Sequence, residues 1–301
     1  FLEQAFNGFQ AGITLFLIAA GLTLILGIMD FVFLAHGSQV MIGAYAAASL
    51  TALTQNFYLG ILFAIPISFF AGYALEYLVI RHLYKRDHME QVLATFGLIL
   101  FFNEAIRVGF GPAALHSNLP ASLSGFVYIL PEIPYPEFRL LVILVGFACA
   151  IGIHLLVSRT RLGATVRAGA SNAAMTAALG VNITRLRRLV FAIGACFAGV
   201  AGMMLGPLTS VEPGMGEPLL ILSLVVIIIG GIGSVRGAFI AAIIVGMVDT
   251  MGRVMLPVIL RSFMEQASAD GAGPALASMM VYILMAVVLV FKPTGLFPPN
   301  R

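Results

Sequence analysis

Charge is scarce in this chain. Only 10% of its 301 residues are Asp, Glu, Lys or Arg, against about 25% in an ordinary soluble domain. Apolar residues make up 60%, and mean hydropathy is +1.05. A water-soluble fold cannot hide that much apolar surface, which excludes a soluble enzyme or nucleic-acid binder. The net charge of +3 and pI near 9.0 invite a nucleic-acid reading, but the placement of the charges argues against it. Lysine is nearly absent: Lys85 follows Tyr84 and Lys292 follows Phe291. A phosphate-binding Walker A loop needs glycine before its lysine, so any ATP that drives this protein binds another chain.

Tryptophan is missing altogether. The two cysteines, Cys149 and Cys196, lie inside apolar runs and read as buried small hydrophobes rather than as a redox signal. The five histidines show no i, i+4 pair and no HExxH, so no metal site is expected. With no paired-carboxylate geometry and no Gly-x-Ser-x-Gly, neither catalysis nor a cofactor is expected. Residues 1–10 carry Glu3 and no basic residue. They lack the basic region of a signal peptide, so the first apolar run is expected to persist in the mature protein. The absence of an initiator Met suggests a trimmed chain.

What is present is a series of apolar runs at roughly 11–29, 31–53, 59–80, 91–110, 138–157, 189–208, 219–235, 236–256 and 274–291. A span needs about 20 such residues, and these runs are far longer than barrel strands. The expected fold class is an all-α polytopic membrane protein of eight to nine helices, one domain over 1–301, embedded in a lipid bilayer. The 32 glycines suit close helix packing. The 14 methionines and 23 phenylalanines read as lipid-facing or packing residues. Twelve of the sixteen basic residues fall on one side, the cytoplasmic one by the positive-inside rule. The loops at 111–136 and 209–218 have none, but contain Glu132, Glu212 and Glu217. Nine spans with an outside N-terminus satisfy this, with the break near Asp30 and the junction at 230–237 as the two weak points.

The segment 158–188 is the longest cytoplasmic stretch. It holds Arg159, Arg161, Arg167, Arg185, Arg187 and Arg188, and a helical stretch from Ala168 to Leu179 that stops at Gly180, a C-cap, before Asn182. Two readings are open: a solvated loop whose arginines only fix topology, or a docking helix for a cytoplasmic partner.

Here the chain acquires a resemblance. Arg161-Leu-Gly-Ala-Thr-Val-Arg167-Ala-Gly-Ala-Ser171-Asn172, continuing to Ala178-Leu-Gly180-Val-Asn182, resembles the cytoplasmic coupling loop of branched-chain amino acid ABC transporter permeases. Phe6-Asn-Gly8 through Gly27-Ile-Met is similar to that family's first span. Phe33-Leu-Ala-His36-Gly37, then Met41-Ile-Gly43-Ala-Tyr45, resembles its Asn-Phe-Ala-His-Gly signature, with Leu34 and its neighbours departing from it. Gly230-Gly-Ile-Gly-Ser234 and Lys292-Pro-Thr-Gly-Leu-Phe297 resemble its later turn and closing motif. The match runs nearly the whole chain and looks most like the first of the two permease types. The resemblance implies half of a translocation pathway in the bacterial cytoplasmic (inner) membrane. Its partners would be a second permease, as a different chain, two cytoplasmic ABC ATPases and an extracytoplasmic substrate-binding protein. It also implies ATPase coupling through Arg161, Arg167, Ser171, Asn172, Ala178, Gly180 and Asn182.

Ionisable groups in a span are costly and therefore functional candidates. Glu104 and Arg107, at i, i+3 and with Asn103 beside them, read as a self-neutralised pair or a substrate contact; so do Asp249 and Arg253 at i, i+4. Glu76 is expected at the cytoplasmic boundary, paired with Arg81. His36 reads equally as a helix-terminus hydrogen bond or as a pathway residue. With Gly37 and Ser38, and with Gly230, Gly231, Gly233 and Ser234 in the other half, it marks two interrupted segments that are the pathway candidates. Gly37-Ser38 then Gly43-Ala44 faintly parallels Gly233-Ser234 then Gly237-Ala238. Family members that carry urea, short amides, other amino acids or aromatic acids stay open as alternatives. A stand-alone channel or secondary transporter would have no use for a docking helix, and a scaffold no use for interrupted segments.

Overall fold

Within lipid a backbone must satisfy its own hydrogen bonds, and only helices do so segment by segment. In the computed structural model, which describes residues 2–29, 31, 33–115, 119–130 and 133–297, the nine apolar runs become nine long helices. They are α1 (Leu2–Met29), α2 (His36–Thr54), α3 (Phe57–Leu83), α4 (His88–Phe110), α5 (Glu137–Arg159), α8 (Ile183–Leu205), α9 (Gly216–Gly230), α10 (Val235–Leu260) and α11 (Gln266–Phe291). Two shorter helices, α6 (Arg161–Ser171) and α7 (Ala173–Ala178), lie between α5 and α8. Seven of the nine are long and apolar enough to cross a membrane. The others are α2, which is more polar, and α9, which has 15 residues. The expected count of eight to nine thus matches the number of long helices, while full spans by this measure number seven. This is a polytopic all-α membrane protein. Among the described residues a strand pair, β1 (Phe126–Leu130) and β2 (Ile133–Pro136), forms an antiparallel hairpin within the 111–136 loop.

Helix α1 is the central post: 83% of its most apolar window is buried, against 11% for α4 and for α11. It packs on α8 and α10, while α2 and α3 close on the other side of α8. Small residues carry these contacts. Gly12 meets Gly246, Gly21 meets Gly194 and Gly43 meets Gly199, backbone against backbone. Such positions let helices approach in lipid, where no hydrophobic effect drives them together. Cys149 and Cys196 are free and partly buried.

The sequence placed a span over 31–53, yet regular helix begins only at His36. Before it, the buried Phe31 ring stacks edge-on Tyr84 at 5.7 Å and the buried Phe33 ring on Phe191 at 4.9 Å. Asp30 and Glu132 lie outside the described residues.

Candidate functional site: the Arg-rich coupling segment and the interrupted helices

At the Arg-rich end, Thr160 ends α5 and begins α6: its hydroxyl donates to the Leu156 carbonyl (2.5 Å) and accepts from Gly163 N–H (3.0 Å). Gly163 lies directly on the Leu156 and Val157 carbonyls, and the Arg167 guanidinium donates to the Val157 carbonyl. These contacts fold α6 back across the end of α5. Gly163, Val166 and Gly169 form its buried face, while Arg161 and Arg167 stay outside.

One helix was expected over Ala168–Leu179; the structure has two. Asn172 breaks it with an extended backbone (φ −154°), and its side chain caps α7 by accepting from Met175 N–H at 2.9 Å. An asparagine that caps one helix competes with continuing another. At the far end of α7, Gly180 has φ +89°. Its N–H donates to the Ala177 carbonyl (2.9 Å), and Val181 N–H reaches the Thr176 carbonyl (3.3 Å). This is the Schellman closure expected of a C′ glycine. Asn182 then caps α8 by accepting from Arg185 N–H at 3.0 Å. Ser171, Asn172, Ala178, Gly180 and Asn182 are all exposed. Around them Met175 and Leu179, 62% and 77% exposed, stand out from a surface of small alanines. Beside them a cleft of about 370 Å³ is lined by Arg161, Leu162, Thr165, Val181, Asn182 and Arg185, among others.

The interrupted segments fall in two places. His36 is fully buried, with Nε2 3.1 Å from the Ile18 carbonyl and Nδ1 unpaired. Its neighbour Gly37 touches not the 230–237 junction but Gly216, at the start of α9. Two helix N-termini therefore meet inside the bundle. Ser38 is buried there, as is Gln39, whose amide has both polar atoms unpaired; nothing in the sequence distinguished Gln39 from a core polar residue. Gly230, Gly231, Gly233 and Ser234 form the turn between α9 and α10 at the Arg-rich end. There Leu296 N–H donates to the Ile229 carbonyl (2.8 Å) and Phe297 N–H to the Gly230 carbonyl (3.1 Å). The later turn and the closing motif, separated in sequence, thus complete one structure, and the orphan carbonyls of α9 find donors.

The two pairs expected from their spacing are in contact. Arg107 meets Glu104 at 2.8 Å, and Asn103 donates to Glu217 at 2.6 Å, tying α4 to α9. Arg253 meets Asp249 at 2.9 Å and donates to Ser278 on α11 at 3.0 Å. The Glu104–Arg107 pair is half exposed in the chain alone, 62% and 52%. Deleting one partner leaves an unpaired charge in the last two turns of α4, at less cost than the roughly 2.5–3.5 kcal/mol of a charge at the centre of a span. We predict that the double alanine change lowers the yield of membrane-inserted protein less than either single one. Additive losses would show that the two side chains act separately. Glu76 departs from expectation. It is fully buried, and its partner is Arg188, at 2.8 Å, not Arg81, which stacks on the Tyr77 ring. Glu76 opens the wide helix turn Glu76–Ile80, and its carboxylate meets α8 rather than its own helix.

A model of the permease component of branched-chain amino acid transport systems matches residues 4–289. The chain belongs to that family. Similar proteins agree in length and order. The high-affinity branched-chain amino acid transport system permease protein BraD of Pseudomonas aeruginosa is 29% identical, over 98% of this chain and 95% of its own. LivH of Escherichia coli, described in the same words, is 26% identical over the same shares. The probable branched-chain amino acid transport permease protein LivH of Methanocaldococcus jannaschii is 28% identical over 94% of this chain and 88% of its own. No solved structure matches significantly. The permease is thus of the LivH type, the membrane-embedded component of an ABC importer.

Proposed function

We propose that this permease forms half of the passage through which an ATP-driven importer in the cytoplasmic membrane takes up branched-chain amino acids, and that α6 and α7 are its docking surface for a cytoplasmic ATPase. The observation that carries the reading is the α6–α7 pair itself: folded back on α5, capped at Thr160, Asn172 and Gly180, and presenting Met175 and Leu179 to the aqueous side. Two exposed apolar side chains on a rigid, small-residue surface suit a partner's groove. Arg161, Arg167, Ser171, Ala178 and Asn182 surround them. The complete assembly has a second, different permease chain, two ATPases and an extracytoplasmic binding protein. ATP drives transport because the closed ATPases bind one permease conformation better than the other. His36, Gly37 and Ser38, with Gly230, Gly231, Gly233 and Ser234, set the shape of the passage through close backbone contacts.

Gentle purification of the tagged chain from its native membrane tests the assembly. Recovery of two Walker A ATPases and a second permease is expected. Recovery of this chain alone, conducting solute in vesicles without ATP, would replace the importer reading by a channel. A local test uses Gly180. No atom lies within 4 Å of a Cβ built there, so a side chain meets only the strain of φ +89°, about 1–2 kcal/mol for most L-residues. Gly180→Val is expected to lower transport several-fold with substrate capture by the binding protein unchanged; Gly180→Asn, which tolerates this conformation, stays near wild type. Full transport and normal ATPase stimulation in Gly180→Val would remove this glycine from the coupling surface.

A further inference from the structure

The Glu76–Arg188 pair has more built around it than packing requires. Counting from Phe57, about 29 Å of helix rise leads to Glu76, the edge of a hydrocarbon layer about 30 Å thick. The carboxylate is wholly buried, and Arg188 is only 15% exposed. Arg188 Nε donates to Glu76 Oε2 at 2.8 Å and its terminal nitrogen to the Tyr73 hydroxyl at 3.3 Å. Its guanidinium lies 4.7 Å from the Tyr77 ring centroid, while the Tyr84 hydroxyl donates to Glu76 Oε1 at 3.3 Å. The pair joins helices that are 112 residues apart in sequence. A buried ion pair is seldom worth more than apolar residues of the same shape, so stability alone does not account for it. What it adds is a directional link between two moving parts.

Both parts are identifiable. Arg188 is six residues beyond Asn182, the cap that joins the coupling segment to α8. A displacement of α6 and α7 therefore reaches Arg188 along one and a half turns of unbroken helix. Glu76 opens the wide turn Glu76–Ile80, where Arg81 N–H bonds to the Glu76 carbonyl five residues back. Single wide turns of this kind occur often at functional sites and have the alternative of ordinary helix. Just above, Gly72 packs on Ala192 and Ala195, and Gly199 on Ser68, so α3 and α8 lie in close contact along this seam.

We propose that Glu76 and Arg188 are positioning residues that pass movement of the coupling segment from α8 to α3, with the Glu76–Ile80 turn as the hinge. This rests on the docking reading given above. The test is the complete importer in liposomes with its binding protein, scored as substrate moved per ATP hydrolysed. The informative variant is Glu76→Gln/Arg188→Gln, which leaves no bare charge. It is expected to assemble and hydrolyse ATP, yet move at least about fivefold less substrate per ATP, the low end of ordinary coupling between sites. Arg188→Lys, which keeps the charge but not the guanidinium fork, is expected to fall between that and wild type. A normal ratio in the double variant, or its failure to assemble, overturns the relay. Leu179→Asp, run in parallel, separates the two readings. If it too couples normally, the docking surface is wrong and the relay has no input; if it uncouples while the double variant does not, only the relay fails.

Discussion

Replacing Gly202 by valine is expected to abolish accumulation of the folded permease. A Cβ at 202 would stand 1.9 Å from the Val40 carbonyl oxygen and 3.0 Å from Ala44 N. The obstruction is backbone, which no rotamer change relieves, so α2 and α8 would have to separate. That would also open the Gly43–Gly199 contact next to it. Overpacking with flexible neighbours costs about 1–3 kcal/mol. With rigid helix backbone on both sides the cost reaches the upper end or beyond, a large part of the roughly 5–15 kcal/mol that holds a domain folded. The measurement is the yield of monodisperse protein after detergent extraction, with its thermal midpoint. Gly152→Ala is the control. No atom lies within 4 Å of a Cβ there, and alanine is favoured over glycine within a helix by about 1 kcal/mol. That variant is expected at or above the wild-type midpoint. Normal yield of Gly202→Val would mean that α2 and α8 do not meet as described.

The second large effect is on coupling rather than folding. Met175→Asp/Leu179→Asp changes two side chains that are 62% and 77% exposed and contribute little to this chain's interior. The permease should fold and insert at wild-type levels. If both side chains fill pockets on an ATPase, each is a candidate for the roughly 2 kcal/mol or more that central interface anchors carry. At 1.4 kcal/mol per tenfold, the two together weaken the complex by about three orders of magnitude. Loss of the ATPases on copurification and of substrate-stimulated hydrolysis is the expected result. A complex that forms and transports normally would assign the two side chains to no interface.

Much of this protein was legible before any coordinates. Its class follows from 60% apolar residues set in runs of membrane length, because lipid leaves a backbone few alternatives to helix. Gly180 was legible for the same kind of reason: a glycine after a helical run and before a capping asparagine serves local needs, and local needs are written locally. The break at Asn172 was legible in principle and missed, since the alanines on both sides favour helix and the capping capacity of one asparagine outweighed them. The spacing rules also gave Glu104–Arg107 and Asp249–Arg253, whose partners lie within one helix turn.

The sequence by itself determined the polytopic helical class, the order of the apolar runs and the position of the Arg-rich segment between α5 and α8, all of which depend on periodicity, composition and neighbours within a few residues. Only the tertiary structure decided that Glu76 belongs to Arg188 and not to Arg81, that Gly37 meets Gly216, and that the closing motif caps the turn at Gly230. Those are contacts between helices far apart in the chain. They depend on where small residues let two helices approach, and each such approach depends on the others.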